Sequence, residues 1–195
     1  LAPVSHVTPL SSPRSGASGL AVPNTRCRIV NPDNSEDMAP GEEGELWIKG
    51  PQVMIGHLNN EKATTDTLTP DGWLKTGDVA IIDEDGYMFI VDRLKELIKY
   101  KGFQVAPAEL EAALVAHPKI QDAAVIGKLD EEAGEVPVAF IVALDPAPSE
   151  ADIKTFIAGT LSHYKQLHHV YFVDEIPKSP SGKILRRLLR QGLSK

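Results

Sequence analysis

Apolar and polar positions follow two different rhythms in the two halves of the chain. Residues 1–24 hold no sustained period and are rich in turn formers, with Ser11-Ser12-Pro13, Ser15-Gly16-Ala17-Ser18-Gly19 and Pro23-Asn24, so they are predicted as loop. From Arg26 short strands follow one another. Cys27-Arg28-Ile29-Val30 is predicted as a strand and Asn31-Pro32-Asp33-Asn34 as the turn after it. Glu45-Leu46-Trp47-Ile48-Lys49-Gly50 alternates polar with apolar and stops at Gly50-Pro51. Asn60 to Thr67 predicts a short helix with Asn60 near its cap. Val79 to Ile82 and Tyr87 to Val91 predict two strands around Asp83-Glu84-Asp85-Gly86, a hairpin signal. Together these elements predict a small antiparallel, barrel-like unit.

After Asp92 helices and strands interleave. Ala108 to His117 places Leu110, Ala113 and Leu114 at helical spacing, with Pro107 at the start. Glu150 to Leu161 carries Ile153, Phe156, Ile157 and Leu161 on one stripe. Ile120 to Ile126, Val136 to Leu144 and Val170 to Val173 are predicted as strands, and Ile184 to Leu193 as a final helix. The predicted class is α+β. Residues 1–92 form the β-rich part, residues 93–195 a small α+β domain, and the joint lies near 92–95.

With 195 residues, 42% of them hydrophobic and 24% charged, the chain has the composition of a folded globular protein. The net charge of −7 argues against a general nucleic-acid binder. It is unevenly spread: residues 1–92 carry 6 basic and 14 acidic side chains, whereas from Lys165 onward there are 7 basic and 2 acidic. A basic tail on an acidic protein suits a small polyanion such as a nucleotide, although charge alone favours a solvated helix end. Cys27 is the single cysteine, so no intramolecular disulfide forms, consistent with a reducing compartment. No apolar run approaches the roughly 18 residues of a membrane span.

Three stretches carry candidate chemistry. Thr76-Gly77-Asp78 puts a carboxylate after a tight glycine turn, just before a strand, where its two oxygens match the vicinal diol of a ribose. Asp92-Arg93-Leu94-Lys95 with Lys99-Tyr100-Lys101-Gly102 supplies a row of cations beside a glycine. In an extended chain Lys99, Lys101 and Phe103 share a face that can steer a phosphorylated ligand. Pro177-Lys178-Ser179-Pro180-Ser181-Gly182-Lys183 offers a lysine on a glycine-containing loop, although the earlier glycine of a Walker A motif is missing. Each also has a plain reading, as a turn, an exposed strand edge and a helix-capping loop. His163, His168 and His169 are poorly spaced for a metal site, and Trp47 and Trp73 are read as packing residues.

Taken in order, these stretches resemble one family. The run Gly72-Trp73-Leu74-Lys75-Thr76-Gly77-Asp78, then Asp83-Glu84-Asp85-Gly86-Tyr87, then Val91 through Gly102 to Glu111 is similar to the adenylate-forming superfamily. That superfamily holds acyl-CoA synthetases, beetle luciferases and peptide-synthetase adenylation domains. The run from Pro177 to Arg187, and Gly50-Pro51-Gln52-Val53-Met54 with Gly56 and Leu58-Asn59-Asn60, resembles 4-coumarate–CoA ligase and its relatives. The chain is therefore identified as the C-terminal part of such a ligase, the second domain being its mobile lid.

The resemblance implies a two-step reaction, in which a carboxylic acid and ATP give acyl-AMP, and CoA then displaces AMP. It implies that Asp78, Arg93 and Lys183 bind ATP or AMP. It gives catalytic roles to Lys183 in adenylation and Lys99 in thioester formation. Lys95 and Lys99 would face the acyl-adenylate, with Lys95 at the hinge, and Lys101, Gly102 and Gln104 would contact CoA. No metal ligand is implied here, and magnesium is expected through a larger domain before Leu1, along with the phosphate loop and acyl pocket. An aromatic or fatty carboxylate is the expected substrate. A luciferase-like protein, a peptide-synthetase domain and a non-catalytic fragment stay open as alternatives. His57 stands where a Tyr is common, and Lys165-Gln166-Leu167-His168-His169 is less basic than the family pattern. The tail Gly192-Leu193-Ser194-Lys195 lacks one Leu of a peroxisomal address, so a cytoplasmic or peroxisomal location is expected.

Overall fold

A computed structural model of the chain describes residues 3–193, so Ser194 and Lys195 of the tail considered above lie outside it. The chain divides into two compact units, residues 1–95 and 96–195.

In the first unit, β1 (His6–Val7) pairs antiparallel with β2 (Leu20–Ala21) within the stretch expected to be loop. The main sheet has four antiparallel strands in sequence order: β3 (Arg26–Val30), β4 (Gly44–Lys49), β5 (Leu74–Ile82) and β6 (Met88–Arg93). The expected antiparallel sheet is present. It stays open among the described residues, because four strands enclose too little interior to close a barrel around side chains. Ile29, Leu46, Ile48, Ala80 and Met88 form one core cluster, and Val30, Trp47 and Trp73 another. Alternation sends neighbouring residues of β3 and β4 to opposite faces, so each face gathers its own cluster. The Arg28 guanidinium lies 5.4 Å from the rings of both tryptophans, which agrees with their reading as packing residues. α1 (Glu61–Thr67) starts at Asn60, whose side chain accepts the Ala63 amide at 2.9 Å.

In the second unit, β7 (Ile98–Tyr100) and β8 (Phe103–Val105) form a hairpin, followed by α2 (Pro107–Val115). A long hairpin follows, with β9 (Ile120–Asp130) paired to β10 (Gly134–Ala143). After α3 (Glu150–Thr160), β11 (His169–Phe172) joins β10 in parallel, and α4 (Arg186–Leu193) ends the described chain. Sheet order is β11-β10-β7-β8, with β9 also on β10.

Continuous burial from Ala123 to Ile126 is explained by helices on both faces of this sheet. Ala123 and Val125 join Leu110 and Leu114 of α2 and Ile153 and Ile157 of α3 in one core. Ala124 and Ile126 join Leu189 of α4, Val138 and Phe140 in the other. Ser149 caps α3 through a capping box in which the Ser149 and Asp152 side chains bond each other's backbone amides. No described helix is long and apolar enough to cross a membrane.

Candidate active site

Asp78 and Arg93 are brought together by strand register. They are opposed residues of β5 and β6, and the Arg93 guanidinium meets the Asp78 carboxylate at 2.6 Å. Thr76-Gly77-Asp78 is not a turn ahead of a strand, as its residue types led us to expect. It lies inside β5, where pairing slips against both β4 and β6. Gly77 has φ +71°, which lets the strand bulge there, and its carbonyl accepts the Leu94 amide at 2.8 Å.

The bulge is braced from below. The Glu45 carboxylate, 8% exposed as a residue, accepts the Gly77 amide at 3.1 Å and the Trp47 indole N–H at 2.8 Å. Thr76 donates its hydroxyl to the Leu46 carbonyl and accepts the Asp78 amide. Asp92 is buried beside the site and accepts the Arg93 amide at 2.7 Å. The Asp78 carboxylate is thus held at the surface by a strand that cannot slide. Lys95 is exposed in the turn that follows β6 and is the last residue of the first unit.

In the second unit, Lys99, Lys101, Gly102 and Gln104 all lie on the β7–β8 hairpin. The stretch does not run on extended through Lys101 and Gly102, so the shared face of Lys99, Lys101 and Phe103 does not form. Lys101 (φ +47°) and Gly102 (φ +83°) are the two central residues of a tight turn, the positive φ pair that matches strand twist. Lys99 therefore opposes Gln104 in register and their side chains share one face, whereas Lys101 sits at the tip. The tip is tied down on its other side, where Lys101 donates its amide to the Ala133 carbonyl at 2.9 Å. Lys99 donates its amide to Glu135, whose carboxylate packs closely over Gly127, so that a side chain there would have to push it aside.

Lys183 belongs to a separate, self-bonded turn. The Ser179 amide bonds the Lys183 carbonyl at 2.8 Å, and the Ser179 hydroxyl accepts the Lys183 amide at 3.1 Å. The Lys183 side chain is exposed. Lys178, bridged to Ile184, pairs with Asp122 near the start of β9. The Lys99 strand instead borders Glu135, whose β9 partner is Leu129. Asp122 and Leu129 are seven residues apart on one strand, about 23 Å. The Lys183 turn is therefore tied near the start of β9, and the Lys99 strand near its other end.

Residues 109–183 match the AMP-binding enzyme C-terminal domain family, and residues 2–58 match the AMP-binding enzyme family. Each of the two units thus carries a match to the AMP-binding enzymes. It is 53% identical over 182 residues to 4-coumarate–CoA ligase 1 of Arabidopsis thaliana, covering 93% of this chain and 32% of that one. It is 54% identical to 4-coumarate–CoA ligase of Pinus taeda, covering 93% and 34%. It spans about a third of the length of the curated relatives it matches. The crystal structure of ATP-bound MatB from Rhodopseudomonas palustris superposes with a TM-score of 0.87 at 32% identity, covering 92% of this chain and 36% of that one. The o-succinylbenzoate CoA synthetase of Bacillus subtilis, in complex with its acyl-adenylate intermediate, gives 0.82 at 32% identity, covering 90% and 35%. The adenylate-forming fold expected from the sequence is thus shown.

Two supporting carboxylates escaped the sequence reading. Glu45 was legible only as the polar member of an alternating strand, and its burial depends on the bulge of β5 opposite it. Glu111 lay inside the resembling run, but its partner Arg186 is 75 residues away. Among the described residues, no group of three or more His, Cys, Asp or Glu is placed to hold a metal.

Proposed function

We propose that the protein carrying this chain is an ATP-dependent acid–CoA ligase of the 4-coumarate–CoA ligase kind. A carboxylate attacks the α-phosphorus of ATP and releases pyrophosphate. The CoA thiol then attacks the acyl carbon of acyl-AMP, losing its proton and expelling AMP. The observation that carries this reading is that the segments of two exposed lysines are tied to different ends of one strand, in a chain about half identical to curated ligases of that activity.

In this reading Asp78 accepts hydrogen bonds from the ribose hydroxyls, and Arg93, already paired with it, contacts the nucleotide. Lys183 lies between the attacking carboxylate and the α-phosphate, where its charge offsets repulsion of two anions and stabilises the transition state. Lys99 faces the acyl-adenylate in the second step, with Lys95. Lys101, Gly102 and Gln104 contact CoA, the exposed tip at Lys101-Gly102 letting a ligand approach the backbone closely. The Lys99 and Lys183 segments are tied to different ends of β9, and in this reading the second unit serves the two steps in turn by rotating about residues 92–95. An aromatic or fatty carboxylate is the proposed acid. Among the described residues no group of three or more His, Cys, Asp or Glu is placed to hold magnesium, and no step is assigned to the ion here.

Half-reactions of the full-length ligase test the assignment. Lys183→Ala is expected to suppress pyrophosphate release while thioester formation from supplied acyl-adenylate continues. Lys99→Ala is expected to do the reverse. Equal loss of both steps in both variants would refute the alternation.

A further inference from the structure

The Lys183 turn ends on an ion cluster that neither the sequence nor the family match assigned. Arg186 opens α4, three residues beyond Lys183, and its side chain is only 15% exposed. One of its terminal nitrogens bonds both Glu111 carboxylate oxygens, at 2.7 and 2.9 Å. Its Nε donates to the Val125 carbonyl at 3.3 Å, while Glu111 accepts the Val125 amide at 2.8 Å. One residue in the middle of β9 is therefore held through both backbone groups by the same charge pair. Glu96, the first residue of the second unit, lies 3.8 Å from Arg186 Nε and 3.3 Å from Arg190.

We infer that Arg186 and Glu111 are positioning residues for Lys183, an inference that rests on the adenylation role proposed above for that lysine. Apart from Ile176 and Ile184, which pack on the core around Val138 and Leu189, little else fixes the turn. Ser179 to Lys183 is closed by its own hydrogen bonds, and nearly all of it is exposed. At its N-terminal end Lys178 pairs with Asp122, both about a third exposed, so that anchor is weak. At the other end Leu185 is fixed by its amide bond to the Pro177 carbonyl, and Arg186 follows at once. A planar guanidinium bonded to a carboxylate and a backbone carbonyl has little rotational freedom. Its Cα, and the Gly182-Lys183-Ile184 backbone just before it, inherit that restriction. A glycine beside the lysine gives swing, and the Arg186–Glu111 pair gives the fixed point from which it swings. Lys99 draws on a different fixed point, the Glu135 carboxylate. The two lysines are therefore positioned separately.

The test uses the full-length ligase with Glu111→Gln, Arg186→Lys, the double variant and Lys183→Ala as reference. Arg186→Lys keeps the charge and loses the fork; Glu111→Gln keeps the shape and loses the charge. Adenylation is expected to slow roughly 10- to 100-fold in each single variant, as for a misplaced catalytic group. The KM for ATP and the thioesterification rate are expected to stay within about twofold of wild type. The double variant should be no slower than the worse single variant, because the pair acts as one unit. Equal slowing of both half-reactions would mean a structural role only and would overturn the inference. So would unchanged adenylation in these variants alongside its loss in Lys183→Ala. Persistence of adenylation in Lys183→Ala would instead remove the assignment of Lys183 itself. Amide exchange on the 195-residue chain gives an activity-free readout. The Lys183 and Leu185 amides should exchange faster in Arg186→Lys while the β9 and β10 amides do not, and uniform acceleration would overturn the inference.

Discussion

Asp78 shows how much support one surface carboxylate receives. Its position follows from Gly77 at φ +71°, from Glu45 beneath that glycine and from Arg93 across the strand pair. A Cβ built on Gly77 meets nothing within 4 Å, so Gly77→Ala costs only the backbone strain of a left-handed residue, about 1–2 kcal/mol. Asp78→Asn breaks an ion pair whose arginine is 60% exposed, and its effect on stability is expected to stay within about 1 kcal/mol. The two variants should therefore separate. Chemical denaturation is expected to register Gly77→Ala more strongly. AMP binding to the full-length ligase, followed by calorimetry, should register Asp78→Asn more strongly. Equal AMP affinity in Asp78→Asn and wild type would remove the ribose role.

At the scale of elements, what was legible followed local rules, and what was missed depended on partners distant in sequence. The helices from Asn60, Pro107 and Glu150 were legible because apolar spacing and cap residues lie within a few positions of one another. β5 was read too short because a bulge exists only relative to the strands beside it, and Thr76-Gly77-Asp78 alone has the composition of a turn. The β7–β8 hairpin was missed because lysine is an unusual residue for positive φ; Asn or Asp before Gly102 would have signalled it. The three candidate segments stood out by residue type alone, whereas the tying of the Lys99 and Lys183 segments to different ends of β9 required the β9–β10 register. Capping makes a prediction at this scale. The Asp152 carboxyl is held below its usual range, first by the Ser149 hydroxyl and then by the Ser149 amide. A carboxyl with a depressed folded pKa stabilises the fold above its unfolded pKa, and that contribution is lost as pH falls through the folded value. Ser149→Ala, which removes the box, is expected to cost about 1 kcal/mol at neutral pH. The difference from wild type should narrow as pH falls below the ordinary carboxylate range. A gap that widens on acidification would contradict the capping account.

For the molecule as a whole, the residues assigned to one reaction are spread over two separately cored units. Asp78, Arg93 and Lys95 belong to the first, and Lys99, Lys101, Gln104 and Lys183 to the second. The chain spans about a third of its ligase relatives, and its 195 residues contain neither a Ser/Thr/Gly-rich phosphate loop nor an aromatic-Gly-x-Thr-Glu motif. Positioning lowers a barrier by roughly 7–11 kcal/mol, but only where both reactants are held in contact geometry. In the roles proposed above, Asp78 with Arg93 would hold a nucleotide by its sugar alone, at a strength of about −4 kcal/mol, near millimolar. That leaves the α-phosphate unaligned with any carboxylate, so Lys183 has no developing charge to stabilise. The 195-residue chain, purified and incubated with ATP, magnesium, CoA and a panel of cinnamic and fatty acids, is therefore expected to release no pyrophosphate above background. Steady release that disappears in Lys183→Ala would show that the catalytic unit is contained in these residues, and the division of labour argued for the whole ligase would have to be redrawn.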